Sequence, residues 1–438
     1  MFERAKGYKA GVYAVVVPGP KYFELVVNEP LIVLETDTAD LGAHLVVKKS
    51  AENQLFLDYV RFVTDKRKTA EEISKSGGED PISKAATKKK LQDLEREIKD
   101  YQVALVAKAP NTLTGMIVKM STAVDEVEVK KPDGSIDSLA SYYAYRQHFW
   151  DNTDLTDERI LRTPVFQNKF DEYIGKVIPQ VPDTINRWAD DIIRRMDQGD
   201  ELFKFAVHTI TYKYETSDIM GMDAVFVHMA QTYYCPGPNG KGRATWMPAD
   251  KLKQMCERAE KWAPLIIGSK GKDIILPDTT EERWLDYYRL PQEYVLLVFW
   301  DPHCGHCKKA LPELYEEYKT KLKPLNVEVF AVANASDSVL FNDWKAFIRE
   351  HDLRWVNVGT TWHMYQDAKK ASYKYVPRYT TIESLNYAST WDIYSTPRFF
   401  LMDGDRKIVG KQLAVDQMVE LIGALNKRKA TKEPPKQP

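Results

Sequence analysis

The sequence VFWDPHCGHCKK, residues 298–309, decides how the carboxy-terminal third of the chain folds. It begins inside a largely apolar run, residues 293–300, which is typical of a strand buried in a parallel sheet. The strand leads directly into Cys304-Gly-His-Cys307, which opens a helix predicted to reach about residue 321. Strand and helix patterns alternate beyond it, so this part of the chain is predicted to form an α/β domain.

The spacing of the two cysteines suits thiol–disulfide exchange, in which a thiolate rather than a thiol attacks the disulfide. At the start of a helix, Cys304 faces unpaired backbone N–H groups and the positive end of the helix dipole, which favour the anion. Cys307 lies one turn later, within reach of a mixed disulfide at Cys304. We therefore expect Cys304 to be the nucleophile and Cys307 the resolving thiol. The neighbouring His303 and His306 are expected to support them by charge or hydrogen bonding.

A C-x-x-C pair also occurs in metal sites, so other chemistries have to be compared. A zinc site requires two further ligands at suitable spacing, and the sequence contains no second C-x-x-C. A haem-attachment motif places histidine directly after the second cysteine, where this chain has Lys308. A copper- or haem-related metal-handling role is the alternative. We expect redox chemistry carried by the Cys304–Cys307 dithiol itself, with no metal and no other cofactor.

Residues 298–309 resemble the active-site strand and helix of the thioredoxin superfamily, in particular the bacterial envelope branch related to TlpA and ResA. Further along, Tyr394-Ser-Thr-Pro397 resembles the cis-proline motif of that family, with an ordinary turn proline as the alternative. The resemblance spans about residues 265–426 and implies that Pro397 packs beside the cysteines and that Thr396 tunes their reactivity. It also implies protein substrates that contain disulfides or thiols, and a membrane electron donor that recharges the dithiol.

The resemblance implies that the chain reduces or exchanges protein disulfides in the cell envelope. A histidine between the cysteines favours the opposite direction, because a stabilised thiolate makes the couple more oxidising. A function of another class is the alternative: an envelope scaffold or binding protein in which the thioredoxin domain is auxiliary. This alternative arises because residues 1–263 carry no recognisable cofactor motif.

Two features depart from the thioredoxin pattern. Thioredoxin has a buried aspartate on the active-site strand that helps to move protons to the resolving cysteine; this chain has Val298 there, with Asp301 near the strand end. The chain also carries an insertion, about residues 360–389, before the cis-proline motif. We expect the insertion either to form one wall of a substrate groove or to pack on its own or the helical domain. Its aromatic residues are Trp362, Tyr365, Tyr373, Tyr375, Tyr379 and Tyr387.

The predicted fold class is a multidomain protein with a small β-rich start, an all-α middle and a carboxy-terminal α/β thioredoxin fold. At the start, short β-branched and aromatic runs are separated by turns that contain Pro and Gly, as in a meander that lacks its first strands. Apolar residues then recur at helical spacing. The predicted segments are a truncated β-rich domain at 1–50, a helical domain at 51–263, a thioredoxin-like domain at 264–427 and a disordered tail at 428–438.

Charge and hydropathy bear on partners and location. The chain has 62 Lys and Arg against 63 Asp and Glu, a net charge of -1, so nucleic acid is not an expected partner. Its apolar runs are far shorter than the ~20 residues of a membrane-spanning helix. No secretory signal peptide is evident, so the chain is either cytosolic or the mature part of a longer precursor. The resemblance favours the precursor, with a location in the periplasm or cell envelope.

Cys235 and Cys256 lie on or beside two successive predicted helices. If these helices form a tight antiparallel hairpin, the two cysteines are separated by roughly 12 Å at 1.5 Å per residue. A disulfide requires Cα atoms within about 7 Å. We therefore expect two buried free thiols, with a structural disulfide as the alternative.

Overall fold

The structure, a computed structural model, describes residues 7–19, 21–78, 80–122, 124, 127–237 and 244–432. The chain divides into two compact units, residues 1–210 and 211–438. Each unit includes sequence from more than one predicted segment, so the domain boundaries expected from the sequence remain predictions.

The first unit begins with two separate β-hairpins. Strands β1 (Gly11–Val17) and β2 (Lys21–Val27) pair antiparallel, as do β3 (Val33–Glu35) and β4 (Val46–Lys49). All four strands overlap the β-branched and aromatic runs from which the sequence predicts β structure. They form two two-stranded sheets, however, whereas the sequence suggested one meander.

Helices make up the rest of the first unit, as the apolar spacing predicts. A buried side chain, Asn53, joins the first helix to a strand: its Oδ1 accepts from the Val26 N–H and its Nδ2 donates to the Val26 carbonyl, both at 2.8 Å. The helices are α1 (Ala51–Lys75), α2 (Pro81–Lys108), α3 (Leu113–Ser121), α4 (Ser138–His148), α5 (Pro164–Glu172), α6 (Pro182–Arg194) and α7 (Glu201–Glu215), the last of which continues beyond residue 210.

The second unit contains a five-stranded mixed sheet with helices on both faces. Its five strands are β7 (Tyr294–Trp300), β8 (Val327–Ala335), β9 (Val356–Thr361), β10 (Arg398–Met402) and β11 (Ile408–Lys411). Two shorter strands, β5 (Ile275–Pro277) and β6 (Trp284–Asp286), pair antiparallel in a separate sheet. The helices are α8 (Asp223–Met229), α9 (Ala249–Trp262), α10 (Gly305–Glu317), α11 (Ser338–Glu350), α12 (Trp362–Ala371), α13 (Ile382–Leu385), α14 (Tyr387–Thr390) and α15 (Val415–Lys432).

The order of strands in the main sheet is β11-β10-β7-β8-β9. Strands β7, β8 and β9 run parallel to one another, whereas β10 pairs antiparallel with both β7 and β11. This mixed sheet, covered by helices, confirms the predicted thioredoxin fold. The sequence interpretation missed β9 at one edge of the sheet and the helices α12 to α14 of the insertion.

Strand β7 is the centre of the core, and all seven of its residues are buried. Its alternate residues face opposite sides of the sheet: Val298 belongs to the cluster that α10, α11 and α15 cover, and Phe299 to the cluster that includes Trp391. Fully burying one such large apolar side chain contributes roughly 1.5–3 kcal/mol. The end of β7 is therefore held firmly at the point where the cysteine segment begins.

The prediction that Cys235 and Cys256 are free thiols is wrong, because the structure joins them in a disulfide with Cα atoms 5.6 Å apart. The prediction assumed a tight hairpin between α8 and α9. The helices end and begin close to the predicted bounds, at Tyr234 and Ala249, so the error lies in the assumed path of the chain between them. About two turns of α9 therefore precede Cys256, and the long connection lets this part of α9 lie beside Cys235.

The prediction of a disordered tail from residue 428 is also wrong for its first residues, because α15 continues to Lys432. Two contacts anchor this end of the helix to the sheet: Lys429 pairs with Glu293, and the Tyr294 hydroxyl donates to Asn426 at 2.7 Å. The remainder of the predicted tail, residues 433–438, lies outside the described residues. Across the described parts of the chain, no helix combines the length and apolarity needed to cross a membrane.

Candidate active site

The cysteine segment sits at the carboxyl end of β7, where the strand gives way to α10. The Cys304 N–H donates to the Asp301 carbonyl at 3.1 Å, which closes the turn between strand and helix. The Cys304 carbonyl then accepts from the Lys308 N–H, also at 3.1 Å, as the first hydrogen bond of α10. Cys304 is thus the residue that caps the helix, as the sequence predicts.

The sulfur of Cys304 is half-buried and lies against the loop that follows the insertion. Its thiol donates to the Thr396 carbonyl at 3.2 Å. Burial alone would raise the pKa of Cys304, but hydrogen bonding with the Thr396 side chain and with the backbone N–H groups of Cys307 and His306, which favours the thiolate, outweighs it. The net result is a lowered pKa for Cys304, which is the property that a nucleophilic cysteine needs.

Cys307 has the opposite environment. It is fully buried against the core beneath α10, and burial raises its pKa to about 11. Both cysteines are free thiols in the structure, and the two side chains are hydrogen-bonded to each other. The two thiols therefore differ in both acidity and exposure, and only Cys304 is placed to meet a substrate as a thiolate.

Thr396 and Pro397 lie next to the cysteines although they are far away in sequence. Strand β10 begins at Arg398, which pairs with Phe299 near the end of β7, so the residues just before β10 face the cysteine segment. The Thr396–Pro397 peptide bond is cis. The structure thus brings together Cys304, Cys307, Thr396 and Pro397, four of the six predicted site residues.

The two histidines take different positions around the cysteines, and the support expected from their rings stays a prediction. The ring of His303 is half-exposed and its Nε2 lies 2.7 Å from the carboxylate of Asp343 on α11. His306 is exposed and contributes its backbone N–H to Cys304. Asp343 was not predicted, because nothing in the sequence links α11 to the segment before α10.

Asp301 carries its carboxylate at the end of β7, at the edge of the site. Its Oδ1 accepts from the His303 N–H at 2.8 Å and its Oδ2 accepts from Asn334 Nδ2 at 2.9 Å. Val298 occupies the position of the thioredoxin aspartate and is fully buried in the core. Asn334 is a site residue that the sequence interpretation missed; a lone polar residue near the end of the apolar strand β8 was the available signal.

A cavity of about 650 Å³ opens beside Cys304, and the insertion supplies part of its wall. Tyr365 and Tyr387 of the insertion line it, together with Thr396. Other rings of the insertion pack elsewhere: Trp284 of β6 stacks on Tyr379 and contacts Tyr375. One part of the insertion therefore lines the cavity and another packs on its own domain, while the role of the cavity as a substrate groove stays a prediction.

Helix α9 contacts the loop that precedes Thr396. The Trp262 indole Nε1 donates to the Asp392 carboxylate at 2.8 Å, and Lys261 Nζ donates to the Tyr394 hydroxyl at 3.2 Å. Asp392 has a positive φ of 55°, an uncommon backbone conformation for a residue other than glycine. The sequence interpretation placed α9 in the helical domain and did not connect it with the site.

The different pKa values of the two cysteines predict stepwise alkylation. In the reduced protein, iodoacetamide should label Cys304 with a pH midpoint lower than that of cysteine in the unfolded chain, because labelling follows the thiolate fraction. Cys307 should stay unlabelled until the pH approaches 11, the pKa that burial gives it. Mass spectrometry of peptides labelled between pH 5 and 11 measures both midpoints.

The same labelling in urea supplies the control, since unfolding should move the two midpoints together. Equal midpoints for Cys304 and Cys307 in the folded protein would contradict the prediction. Cys235 and Cys256 do not interfere, because their disulfide leaves no thiol to label as long as the mild reduction used spares it.

Comparisons with known proteins agree with this geometry. Residues 267–410 match the AhpC/TSA family, and residues 107–239 match DUF5106, a domain of unknown function. No curated protein matches the chain.

Solved structures similar to the chain include three from bacteria. A domain of a possible thiol-disulfide isomerase from Cytophaga hutchinsonii is 25% identical and covers 39% of this chain and 99% of its own, with a TM-score of 0.31. A thioredoxin-like protein from Bacteroides caccae is 15% identical and covers 69% of this chain and 99% of its own, with a TM-score of 0.44. The thioredoxin domain of a thiol-disulfide oxidoreductase from Bacteroides vulgatus is 23% identical, with coverages of 36% and 96% and a TM-score of 0.28.

The family match and the mixed sheet cover the same part of the chain. Residues 267–410 contain both cysteines, the cis-proline and the whole order of strands from β7 to β10. Residues 267–410 are thus a thioredoxin-like domain that matches the AhpC/TSA family, in a chain whose middle part matches a domain of unknown function.

Proposed function

We propose that the chain is a thiol–disulfide oxidoreductase that acts on protein disulfides in the cell envelope, with Cys304 as nucleophile and Cys307 as resolving thiol. The observation that carries the proposal is the contrast between the two sulfurs. Cys304 has a lowered pKa and borders a cavity, whereas Cys307 is buried with a raised pKa. This is the arrangement that a two-step exchange requires.

In the first step, the Cys304 thiolate attacks one sulfur of the substrate disulfide. A bond forms between Cys304 and that sulfur, the substrate S–S bond breaks, and the other substrate sulfur leaves as a thiolate that takes a proton from water. Cys307 then loses its proton and attacks the Cys304 sulfur, which releases the second substrate thiol. Two electrons pass to the substrate, and the protein is left with a Cys304–Cys307 disulfide.

The proposal includes the direction and the location of the reaction. We propose reduction or exchange of substrate disulfides, after which a membrane electron donor would return the Cys304–Cys307 disulfide to the dithiol. A location in the periplasm or cell envelope is supported by the second pair of cysteines. Cys235 and Cys256 form a disulfide, and such bonds persist mainly in oxidising compartments.

The variant Cys307→Ser tests this proposal, because removal of the resolving thiol should stop the reaction at the mixed disulfide. Incubation of the reduced variant with oxidised insulin is expected to accumulate a covalent complex through Cys304, visible on a non-reducing gel. The wild-type protein should instead release reduced insulin and accumulate little complex.

The double variant Cys304→Ser/Cys307→Ser is the matched control and should form no complex. A complex that persists in the double variant, or one that mass spectrometry assigns to Cys235 or Cys256, would count against the proposed roles. Failure of the single variant to form any complex would overturn the proposal itself.

A further inference from the structure

The cavity beside Cys304 is much larger than a substrate disulfide needs. Its volume of about 650 Å³ falls in the range of about 300–1,000 Å³ that is usual for ligand pockets. Cys304 and Thr396 lie on its lining together with residues of the insertion and of the loop that follows it. A substrate attacked at Cys304 therefore has neighbouring groups that can enter this cavity.

Aromatic and aliphatic side chains make up about half of the residues that line the cavity. Tyr387 is buried and held in place by stacking on Phe299, with ring centroids 5.6 Å apart and planes 17° apart. Tyr365 is half-buried, and the Lys369 ammonium lies 4.4 Å from its ring centroid. The apolar part of the lining also includes Leu385, Ile393 and Tyr394.

The electrostatics of the cavity disfavour an acidic group. Among the described residues that line it, Asp301 alone carries a charged side chain. Both of its carboxylate oxygens already accept hydrogen bonds, from His303 and Asn334. The Cys304 thiolate adds a second negative charge during the reaction, so a substrate carboxylate that enters the cavity beside the attacked sulfur would be repelled by both charges. The ammonium groups of Lys369 and Lys261 are not part of the lining and lie against Tyr365 and Tyr394.

Tyr394 lines the cavity and is also exposed on the protein surface. It is 77% exposed, which is unusual for so large a ring on the border of a cavity. Its hydroxyl accepts a hydrogen bond from Lys261, so the side chain is held in place without being covered. A held but uncovered aromatic ring is well suited to contact with a polypeptide.

We propose that this cavity is a binding subsite for an aromatic or large aliphatic side chain next to the attacked cysteine of a polypeptide substrate. Tyr365 and Tyr394 are its specificity-determining residues at the rim. The inference rests on the proposed exchange at Cys304 and adds a preference for substrates whose cysteine has an apolar neighbour, as exposed in an unfolded chain. Acidic neighbours are disfavoured.

The test uses the full chain in its reduced form and three short peptides that differ only in the residue before a single cysteine, which is Phe, Ala or Glu. Each peptide carries its cysteine as a mixed disulfide with 2-mercaptoethanol, a small neutral partner. The protein dithiol supplies the two electrons, so each turnover yields the peptide thiol, mercaptoethanol and a Cys304–Cys307 disulfide. Quenched chromatography follows the peptide thiol, and hydroxyethyl disulfide serves as the substrate without a side chain.

The Phe peptide is expected to react about tenfold faster than the Ala peptide, and the Glu peptide more slowly than both. The variants Tyr365→Ala and Tyr394→Ala should each lower the ratio of the rate with the Phe peptide to the rate with hydroxyethyl disulfide. Both rates are measured on the same variant, so that any general effect of the substitution on the dithiol cancels. Tyr373→Ala is the matched control, since Tyr373 is equally exposed at 78% and does not line the cavity.

The outcomes separate the two proposals. Equal rates for the three peptides in the wild-type protein would overturn the subsite, whatever the variants do. An equal loss of preference in Tyr373→Ala would also overturn it, because the effect would then not come from the cavity. If hydroxyethyl disulfide and all three peptides stay unreduced, the proposed oxidoreductase function fails and the subsite fails with it.

Discussion

Replacing Cys304 by serine is expected to lower the rate of insulin reduction by at least about 10³-fold, to the background of the assay thiol, because the nucleophile is lost. A serine hydroxyl does not ionise near neutral pH and forms no disulfide with a substrate. The substitution is almost isosteric. It also falls at the residue that caps α10, where serine is among the preferred residues, so the fold should tolerate it.

Thermal unfolding of the Cys304→Ser protein is the control for folding. Its midpoint should be equal to or slightly above that of the wild-type protein. Under these conditions a loss of activity reports chemistry rather than folding. Retention of a tenth or more of the wild-type rate by a folded Cys304→Ser protein would show that another thiol performs the attack. The comparison with Cys307→Ser is informative as well, because that variant should retain the first half of the reaction.

Removal of the Cys235–Cys256 disulfide is expected to have the largest effect on the stability of the protein. In the chain-entropy account, a crosslink across 21 residues stabilises the folded state by about 3 kcal/mol. The double variant Cys235→Ala/Cys256→Ala should lose about this amount from the free energy of unfolding of residues 211–438. Urea denaturation at constant ionic strength measures the loss as a lower midpoint.

The double variant Cys304→Ser/Cys307→Ser is the matched control, since both of its cysteines are free thiols in the structure and no crosslink is removed. Adding a thiol reductant should destabilise this control to about the same extent as the alanine substitutions destabilise the wild-type protein. A difference below about 0.5 kcal/mol between wild type and Cys235→Ala/Cys256→Ala, the range of neutral substitutions, would show that the disulfide does not stabilise the fold.

The elements of the fold that could be predicted from the sequence are those in which a few consecutive residues carry a clear pattern of apolar side chains. Strand β7 is a run of large apolar residues, and all of them are buried. Strand β9 was missed because its sequence, Val-Asn-Val-Gly-Thr-Thr at 356–361, reads as a polar loop, yet Thr360 and Thr361 are almost completely buried at the sheet edge. Only the parallel pairing with β8 makes these residues a strand.

Helix α3 shows the same limit in the first unit. Its first turn includes Thr114 and Gly115, two residues of low helix propensity, which conceal the helix. The packing explains the glycine: a Cβ atom at Gly115 would lie 2.1 Å from the Ala109 carbonyl oxygen. Gly115 thus weakens the helical pattern of the sequence, yet only glycine fits this close to the Ala109 carbonyl oxygen.

In the candidate site, the predictable residues are those of two short motifs. The cysteine pair and the Thr396–Pro397 pair were identified from sequence because each is a recognisable string of residues. Asn334 and Asp343 were not, since each reaches the cysteine segment through the packing of β8 and α11 against it. The Cys235–Cys256 pairing failed for a similar reason: it depends on the path of a connection whose length, but not direction, can be read from the sequence.

The hydrogen bonds from α9 to the loop before Thr396 bear on how the redox domain can be expressed as a fragment. A fragment that starts at residue 264 keeps both cysteines, the cis-proline and the whole mixed sheet. It discards Trp262 and Lys261, whose partners Asp392 and Tyr394 flank Ile393 just upstream of the reactive loop. Reduction potentials and turnover measured on such a fragment would report a reactive loop that lacks these two hydrogen bonds. A truncation that keeps α9 in place has to begin before Cys235, so that the Cys235–Cys256 disulfide is retained.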